Sequence, residues 1–338
     1  MSLFAQNWQF LYVWVAVFLF TGVLSYVGCA RSLALAKKSG MIALPGERQS
    51  HLAATPTGGG LGLIFSIVVT TLCLELILFL PDFWWQNMLP GVVLLTMVGW
   101  RDDKYPVPSL LRLFIQLAVS MWLIGFGWVE FSLKDIVYLA GVILSMTWLM
   151  NVYNFMDGSN GMAGFQGVFA GVMMAVLFQL GGEFTMALIA LSVAAACAGF
   201  LPLNFPNARV FMGDVSSVPL GFIFASLTVY GVQTGSLSLT VSILIMSVFL
   251  VDATLTLLSR VFRGERWYTA HARHVYQRLI ARGWSHFRVL VVYQAINVFL
   301  VLPALVLAII FPQYAITTVG LTLFLLGTCW LVVNRRLV

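Results

Sequence analysis

The sequence predicts an all-α polytopic membrane protein, a bundle of about eleven (ten or eleven) transmembrane helices with its polar residues gathered in the loops of one face. Three observations predict it. Mean hydropathy is +0.97 and only 9% of the 338 residues are charged, whereas soluble domains carry about 25%. Apolar runs of about 20 residues recur along the chain, each able to cross ~30 Å of hydrocarbon. Those runs are apolar on all sides, whereas barrel strands alternate in and out over about ten residues. Soluble-domain length priors do not apply, and residues 1–338 read as a single integral membrane domain.

Breaks in the apolar runs place the spans at 8–29, 60–80, 87–99, 109–128, 136–154, 162–181, 184–203, 217–233, 237–260, 288–311 and 314–333. The opening "MSLFAQNW" lacks the basic region of a secretory signal, so the first run is expected to persist as a helix. The third span is short, and the fifth runs into a polar motif. Cys29, Cys73, Cys197 and Cys329 all lie in or beside apolar runs. Disulfide and zinc frameworks use paired spacing in loops, so these are packing residues.

Eleven crossings sort the loops into two sets. One set holds 30–59, 100–108, 155–161, 204–216, 261–287 and the C-terminal "NRRLV". With the adjoining helix ends it carries every Lys and Arg except Lys134, 17 of 18. Basic residues near helix ends set orientation, so this side is cytoplasmic and the N-terminus lies outside. The net charge of +6 then needs no nucleic-acid partner. All four histidines and Asp102, Asp103, Asp157 and Asp214 fall on the same side, so a site would face the cytosol.

Four clusters there carry chemistry. In "GWRDDKYPVP", Asp102 and Asp103 adjoin Lys104; paired carboxylates repel unless a cation or proton relieves them. The plainer account is a solvated loop punctuated by Pro106 and Pro108. In "NVYNFMDGSNGMAG", Asn151, Asn154 and Asp157 step by three along a helix face, an oxygen-rich set that suits a hard cation. Gly158 and Gly161 would end the helix and admit a ligand to the backbone, although polar residues also end helices unaided. In "NARVFMGDVSSVPLGF", Asp214 or Ser216 is expected to cap a helix whose N-terminus is a natural phosphate seat, or only an ordinary cap. In "RGERWYTAHARHVYQRL", Arg263, Arg266, His271, Arg273, His274 and Arg278 face one acid, Glu265. Arginine forks and histidines suit phosphate, but a basic loop lying on anionic lipid has the same composition.

Two further features are weaker. Asp252 sits about 12 Å into a span. An intramembrane acid costs on the order of 2.5–3.5 kcal/mol and usually faces a cavity or a partner such as a basic side chain, so Asp252 is given a supporting role. "TPTGGGLGL" lacks the spacing and lysine of a P-loop, and close helix packing accounts for it.

Together these stretches resemble the polyprenyl-phosphate N-acetylhexosamine-1-phosphate transferases of the glycosyltransferase family 4 type. "RDDK", "NVYNFMDGSNGMAG", "NARVFMGDVSS" and "AHARHVYQRL" match four family blocks in order, from about Arg48 to Leu279. The wording of "RGERWYTAHARH" is closest to the bacterial O-antigen-initiating branch. Two departures stand out. Relatives often read Pro-Arg-Gly-Gly-Gly where this chain has Pro56, Thr57, Gly58, and "HARH" does not reproduce the three histidines of the peptidoglycan enzymes. The second departure argues against a muramyl-pentapeptide substrate.

The resemblance implies transfer of a sugar 1-phosphate from a UDP-N-acetylhexosamine, or a deoxygenated relative, to undecaprenyl phosphate. UMP would be released at the cytoplasmic face of a bacterial inner membrane. It implies Mg2+, with Mn2+ as an alternative, on Asn154 and Asp214. Asp102, Asp103, Asp157 and His274 would be catalytic; Lys104, Asn151, Arg209, His271, Arg273 and Arg278 would bind substrate. A phosphate monoester is already mostly dianionic at neutral pH, its second pKa being about 6. The acidic pair is therefore expected to order Lys104 and the metal's surroundings and not to act as a base. A transporter of sugar nucleotides or lipid-linked sugars is the rival reading, but transporters place their sites near the bilayer midplane in matched halves. The sugar is not legible, and a homodimer stays open.

Overall fold

The computed structural model describes residues 2–43, 55–125, 133–265 and 272–336. The chain runs through α1 (Ser2–Ser39), β1 (Ile42–Ala43), β2 (Thr55–Pro56), α2 (Leu61–Leu78), α3 (Leu89–Lys104), α4 (Ser109–Gly125) and α5 (Leu133–Phe155). It continues through α6 (Met162–Leu180), α7 (Phe184–Asn204), α8 (Asp214–Thr234), α9 (Leu239–Phe262), α10 (Val275–Ala281), α11 (His286–Ile296), α12 (Leu302–Ile310) and α13 (Ala315–Arg336). A π-helical stretch, Phe83–Met88, leads into α3, and another, Asn297–Val301, joins α11 to α12. β1 and β2 pair antiparallel over two residues each.

Each expected span overlaps a helical segment, the fourth running past Gly125 beyond the described residues. Among the described residues, nine helices are long and apolar enough to cross a membrane. The other two segments are shorter. α4 has 17 residues, a rise of about 26 Å. α3 has 16, and its last turn is the charged "RDDK". Local signals set several ends: the Ser238 hydroxyl accepts the Val241 N–H at 3.2 Å to start α9, and the Ser285 hydroxyl accepts that of Arg288 at 3.2 Å to start α11.

α7 and α8 form the centre: 16 of the 21 residues of α7 and 14 of the 21 of α8 are buried, against 5 of the 22 of α13. The alanines of α7 ("ALSVAAACAG") let α1, α2 and α6 approach closely, the packing by small side chains that replaces a hydrophobic driving force in lipid. α8 packs between α3 and α5. The outer helices present large apolar side chains outward, such as Leu19 and Phe324, as a lipid-facing surface does.

Successive helices return the chain to one polar end. There the "TPTGGG" stretch runs beside residues 210–213. Phe211 N–H donates to Pro56 O at 2.9 Å, Gly59 N–H to Phe211 O at 3.0 Å, and Gly60 N–H to Met212 O at 3.0 Å. The glycines therefore pack against a loop backbone, not only against helices. The C-terminus of α13 reaches the same end, where Asn334 bonds Arg278 and the Arg336 carbonyl accepts from Arg282 at 2.8 Å. Glu75 lies far from this end, in the last turn of α2. Its carboxylate accepts from Leu80 N–H at 2.6 Å and from the Trp85 indole at 2.8 Å.

Candidate functional site

The site is organised by the N-terminus of α8. Gly213 precedes the helix at φ +77°, a conformation that favours glycine, and a Cβ there would meet the Asp103 carboxylate at 2.3 Å. Neither Asp214 nor Ser216 caps the helix, contrary to the sequence expectation: the Ser216 hydroxyl donates back to Met212 O at 3.3 Å. The cap comes from other elements. Asp103, at the end of α3, accepts the Asp214 N–H at 3.0 Å and the Val215 N–H at 3.2 Å. Asp157, in the turn after α5, accepts the Gly213 N–H. The expected phosphate seat is thus filled by two carboxylates, which satisfy the donors and the dipole that a phosphate would have used.

Asp102 faces the other way. Its Oδ1 accepts the Val107 N–H at 2.6 Å, closing the turn through Pro106, and its Oδ2 takes Arg112 Nη1 at 2.7 Å. The same Nη1 lies 2.9 Å from Asp214 Oδ2. One guanidinium from the first turn of α4 thereby bridges carboxylates of α3 and α8. Arg112 takes the part that the sequence reading assigned to Lys104, whose ammonium lies over the rings of Trp100 and Tyr105 at 5.6 and 5.5 Å. Arg112 was not singled out from the sequence. Its one signal was a cation ten residues after Asp102, in the opening turn of an apolar helix.

Asn154 meets this group from α5: its Nδ2 donates to Asp214 Oδ1 at 2.7 Å and to the Ser217 hydroxyl at 2.9 Å. Asn151, one turn earlier, donates to Gln116 Oε1 at 2.7 Å and to Thr147 O at 2.8 Å, so it ties α5 to α4. A small hollow of about 10 Å³ between α3, α4 and α8 lies beside the cluster. Its walls are Leu95, Val98, Ile115 and Val218, and its polar end is Arg112 and Asp214.

The basic segment lies to one side. His271 falls outside the described residues. Arg273 is exposed and pairs with Glu265, Arg278 pairs with Asn334, and Arg209 is exposed in the loop before α8. His274 is buried, 3% exposed, between the rings of Phe155 and Tyr276. Its Nδ1 lies 4.0 Å from Asp252 Oδ1, away from the carboxylate cluster. Burial holds this imidazole below its usual range, with Asp252 pulling the other way and Arg260 adding to the effect.

The donor set fits a hard divalent ion. Asp214 and Asn154 are neighbours, and turning the Asn154 amide over exchanges Nδ2 for Oδ1 at that position. Among the described residues no three His, Cys, Asp or Glu side chains are arranged to close around a metal. Mg2+ needs no such cage, because it keeps waters and takes one or two carboxylates plus phosphates of a substrate.

Asp102, Asp103, Asp157 and Asp214 gather at the start of α8, and Arg112 pairs with two of them, Asp102 and Asp214. Burial, then Asp214, pushes the Asp103 and Asp157 carboxyls up, against the N–H bonds that pull them down. A carboxyl raised on folding adds stability below its unfolded value near 4 and loses that contribution as pH rises through its folded value. Thermal stability in chelator should therefore fall between about pH 5 and pH 8. Asp157→Asn, which keeps an acceptor for Gly213, should flatten that slope in detergent melts. Asp103→Ala should cost about 1–2 kcal/mol through the lost cap, and Asp103→Asn less, as denaturant titration would show.

The glycosyl transferase family 4 description matches residues 85–232, which span the carboxylates of α3, the end of α5 and α8 up to its last two residues. A probable undecaprenyl-phosphate N-acetylglucosaminyl 1-phosphate transferase of Bacillus subtilis is 27% identical over 77% of this chain and 75% of its own. A decaprenyl-phosphate N-acetylglucosaminephosphotransferase of Mycolicibacterium smegmatis is 29% identical over 80% and 76%. A phospho-N-acetylmuramoyl-pentapeptide-transferase of Staphylococcus saprophyticus is 26% identical over 74% and 84%. Along these stretches the chain is similar to the glycosyl transferase family 4 description and to relatives named for polyprenyl-phosphate sugar-phosphate transfer.

Proposed function

We propose that this protein transfers an N-acetylhexosamine 1-phosphate, or that of a deoxygenated relative, from a UDP-sugar to undecaprenyl phosphate. The observation that carries the reading is the juxtaposition of four carboxylates and Arg112 with a small apolar hollow, at one end of a lipid-facing bundle. A water-soluble donor and a lipid-borne acceptor can meet only at such an edge. The relatives named for polyprenyl-phosphate sugar transfer support the same reaction. The basic-rich end is then cytoplasmic, at a bacterial inner membrane. The product would begin O-antigen or a related envelope glycan.

In this reaction an acceptor phosphate oxygen attacks the β-phosphorus of the donor. The bond from that phosphorus to the bridging oxygen breaks, and UMP leaves with the bridging oxygen. Mg2+ on Asp214 and Asn154 would neutralise charge on the donor phosphates, as divalent ions do in phosphoryl transfer. Arg112, partly exposed, then meets the acceptor phosphate beside the apolar side chains Leu95, Val98, Ile115 and Val218. Asp103 and Asp157 hold α8, and with it Asp214, in place. Asp102 aims Arg112. The acceptor, already dianionic at neutral pH, gives a base little to remove.

Three experiments test this. Purified protein given undecaprenyl phosphate and a panel of UDP-sugars, beginning with UDP-N-acetylglucosamine, should release UMP, stop with EDTA and resume with Mg2+; a transporter would release none. Arg112→Ala should lower kcat/KM by about 100-fold or more, with Arg112→Lys retaining part of it. Asp102→Asn should be impaired at every pH between about 6 and 9. Recovery of that variant as pH rises would instead make Asp102 a base.

A further inference from the structure

The sequence expects Asp252 to face a cavity or a partner such as a basic side chain; in the structure the His274 ring lies 4.0 Å away and four hydrogen-bond donors meet the carboxylate. Its side chain is 4% exposed in α9. Oδ1 accepts the Val275 N–H at 3.1 Å, the Thr256 hydroxyl at 3.2 Å and the Trp330 indole N–H at 3.2 Å. Oδ2 accepts the Tyr293 hydroxyl at 2.7 Å. One carboxylate thus collects donors from α9, α10, α11 and α13, with the His274 ring beside it.

The consequence runs through α10. Asp252 pins the backbone of Val275, and the next residue, Tyr276, crosses to α5. There its hydroxyl donates to Phe155 O at 2.9 Å. Tyr276 is fully buried and fills the space over Gly158, where a Cβ would lie 2.0 Å from the hydroxyl. Phe155 and Gly158 flank the turn that carries Asp157, two residues past the end of α5. A rigid path therefore leads from Asp252, through Val275 and Tyr276, to the turn beside the carboxylate cluster. Arg273 and Arg278 ride on the same short segment, within five residues of Val275.

We propose that Asp252 is a positioning residue for the sugar-nucleotide donor: it fixes α10, and with it the arginine-bearing segment 272–282, against the Asn154–Asp157 turn. A carboxyl is suited to this work because its two oxygens accept from four donors on four helices. The proposal rests on the reaction given above, and it concerns donor binding, not the acceptor phosphate at Arg112.

The test uses the full chain in detergent, with KM for UDP-sugar and for undecaprenyl phosphate measured separately. Asp252→Ala should raise the donor KM by about tenfold or more and leave the acceptor KM within about twofold. Asp252→Asn keeps Oδ1 for Val275, Thr256 and Trp330, and Tyr293 can turn its hydroxyl to accept from the new amide. It should therefore restore most of the donor KM. If Asp252→Ala fails to fold, Tyr276→Phe, which removes only the bond to Phe155, should still raise the donor KM selectively. Equal changes in both KM values, or none, in the folded variants would overturn the proposal. Absence of UMP release by the unmodified protein would instead overturn the reaction it rests on.

Discussion

The N-terminus of α8 is held by acids that belong to other helices, and the rest of the polar end depends on that arrangement. Asp103 and Asp157 supply the acceptors for three successive N–H groups. A helix start buried in a bundle must satisfy those donors somehow. Ser or Asn at the N-cap would have done so locally. Using carboxylates from α3 and the end of α5 ties three helices to one point and fixes Asp214 as the first residue of α8. The cost is electrostatic, because it brings four acids into one small volume.

That cost explains the placement of Arg112. It is the only cation among the described residues that bridges two of the four acids, and it enters from α4, the short apolar helix. A cation one turn deeper would be harder to hydrate, and one in the loop would be screened by solvent. At the first turn it reaches Asp102 and Asp214 while its side chain stays partly exposed, at 36%. It is therefore both a structural counter-ion and a group that an incoming phosphate can reach.

Much of this was legible in the sequence. The all-α membrane class followed from composition, and the gathering of "RDDK", "NVYNFMD" and "MGD" on one face followed from the distribution of Lys and Arg. The division of labour within the group was not legible. Whether an acid caps, bridges or faces a ligand depends on distances between residues such as Asp103 and Val215, 112 positions apart, which no local pattern encodes. Lys104 looked like the natural partner of its neighbours, yet on the helix it turns toward Trp100 and Tyr105. His274 looked like a loop histidine open to substrate. Its burial depends on Asp252 and Phe155, which lie far away in the chain.

A site built this way has a charge problem whose form narrows its chemistry. Four acids and one guanidinium leave an excess of negative charge, and both proposed reactants are anionic. Protonating the cluster would relieve it, but it would also weaken the hold of Asp102 and Asp214 on Arg112. A divalent ion relieves it without that loss, because it draws the carboxylates toward their charged forms and presents positive charge outward. The arrangement that caps α8 thus produces a need that a metal-bound diphosphate would meet. In the proposed reaction the same acids serve stability and substrate recognition, since the excess charge left after α8 is capped is what draws in the ion that accompanies the donor.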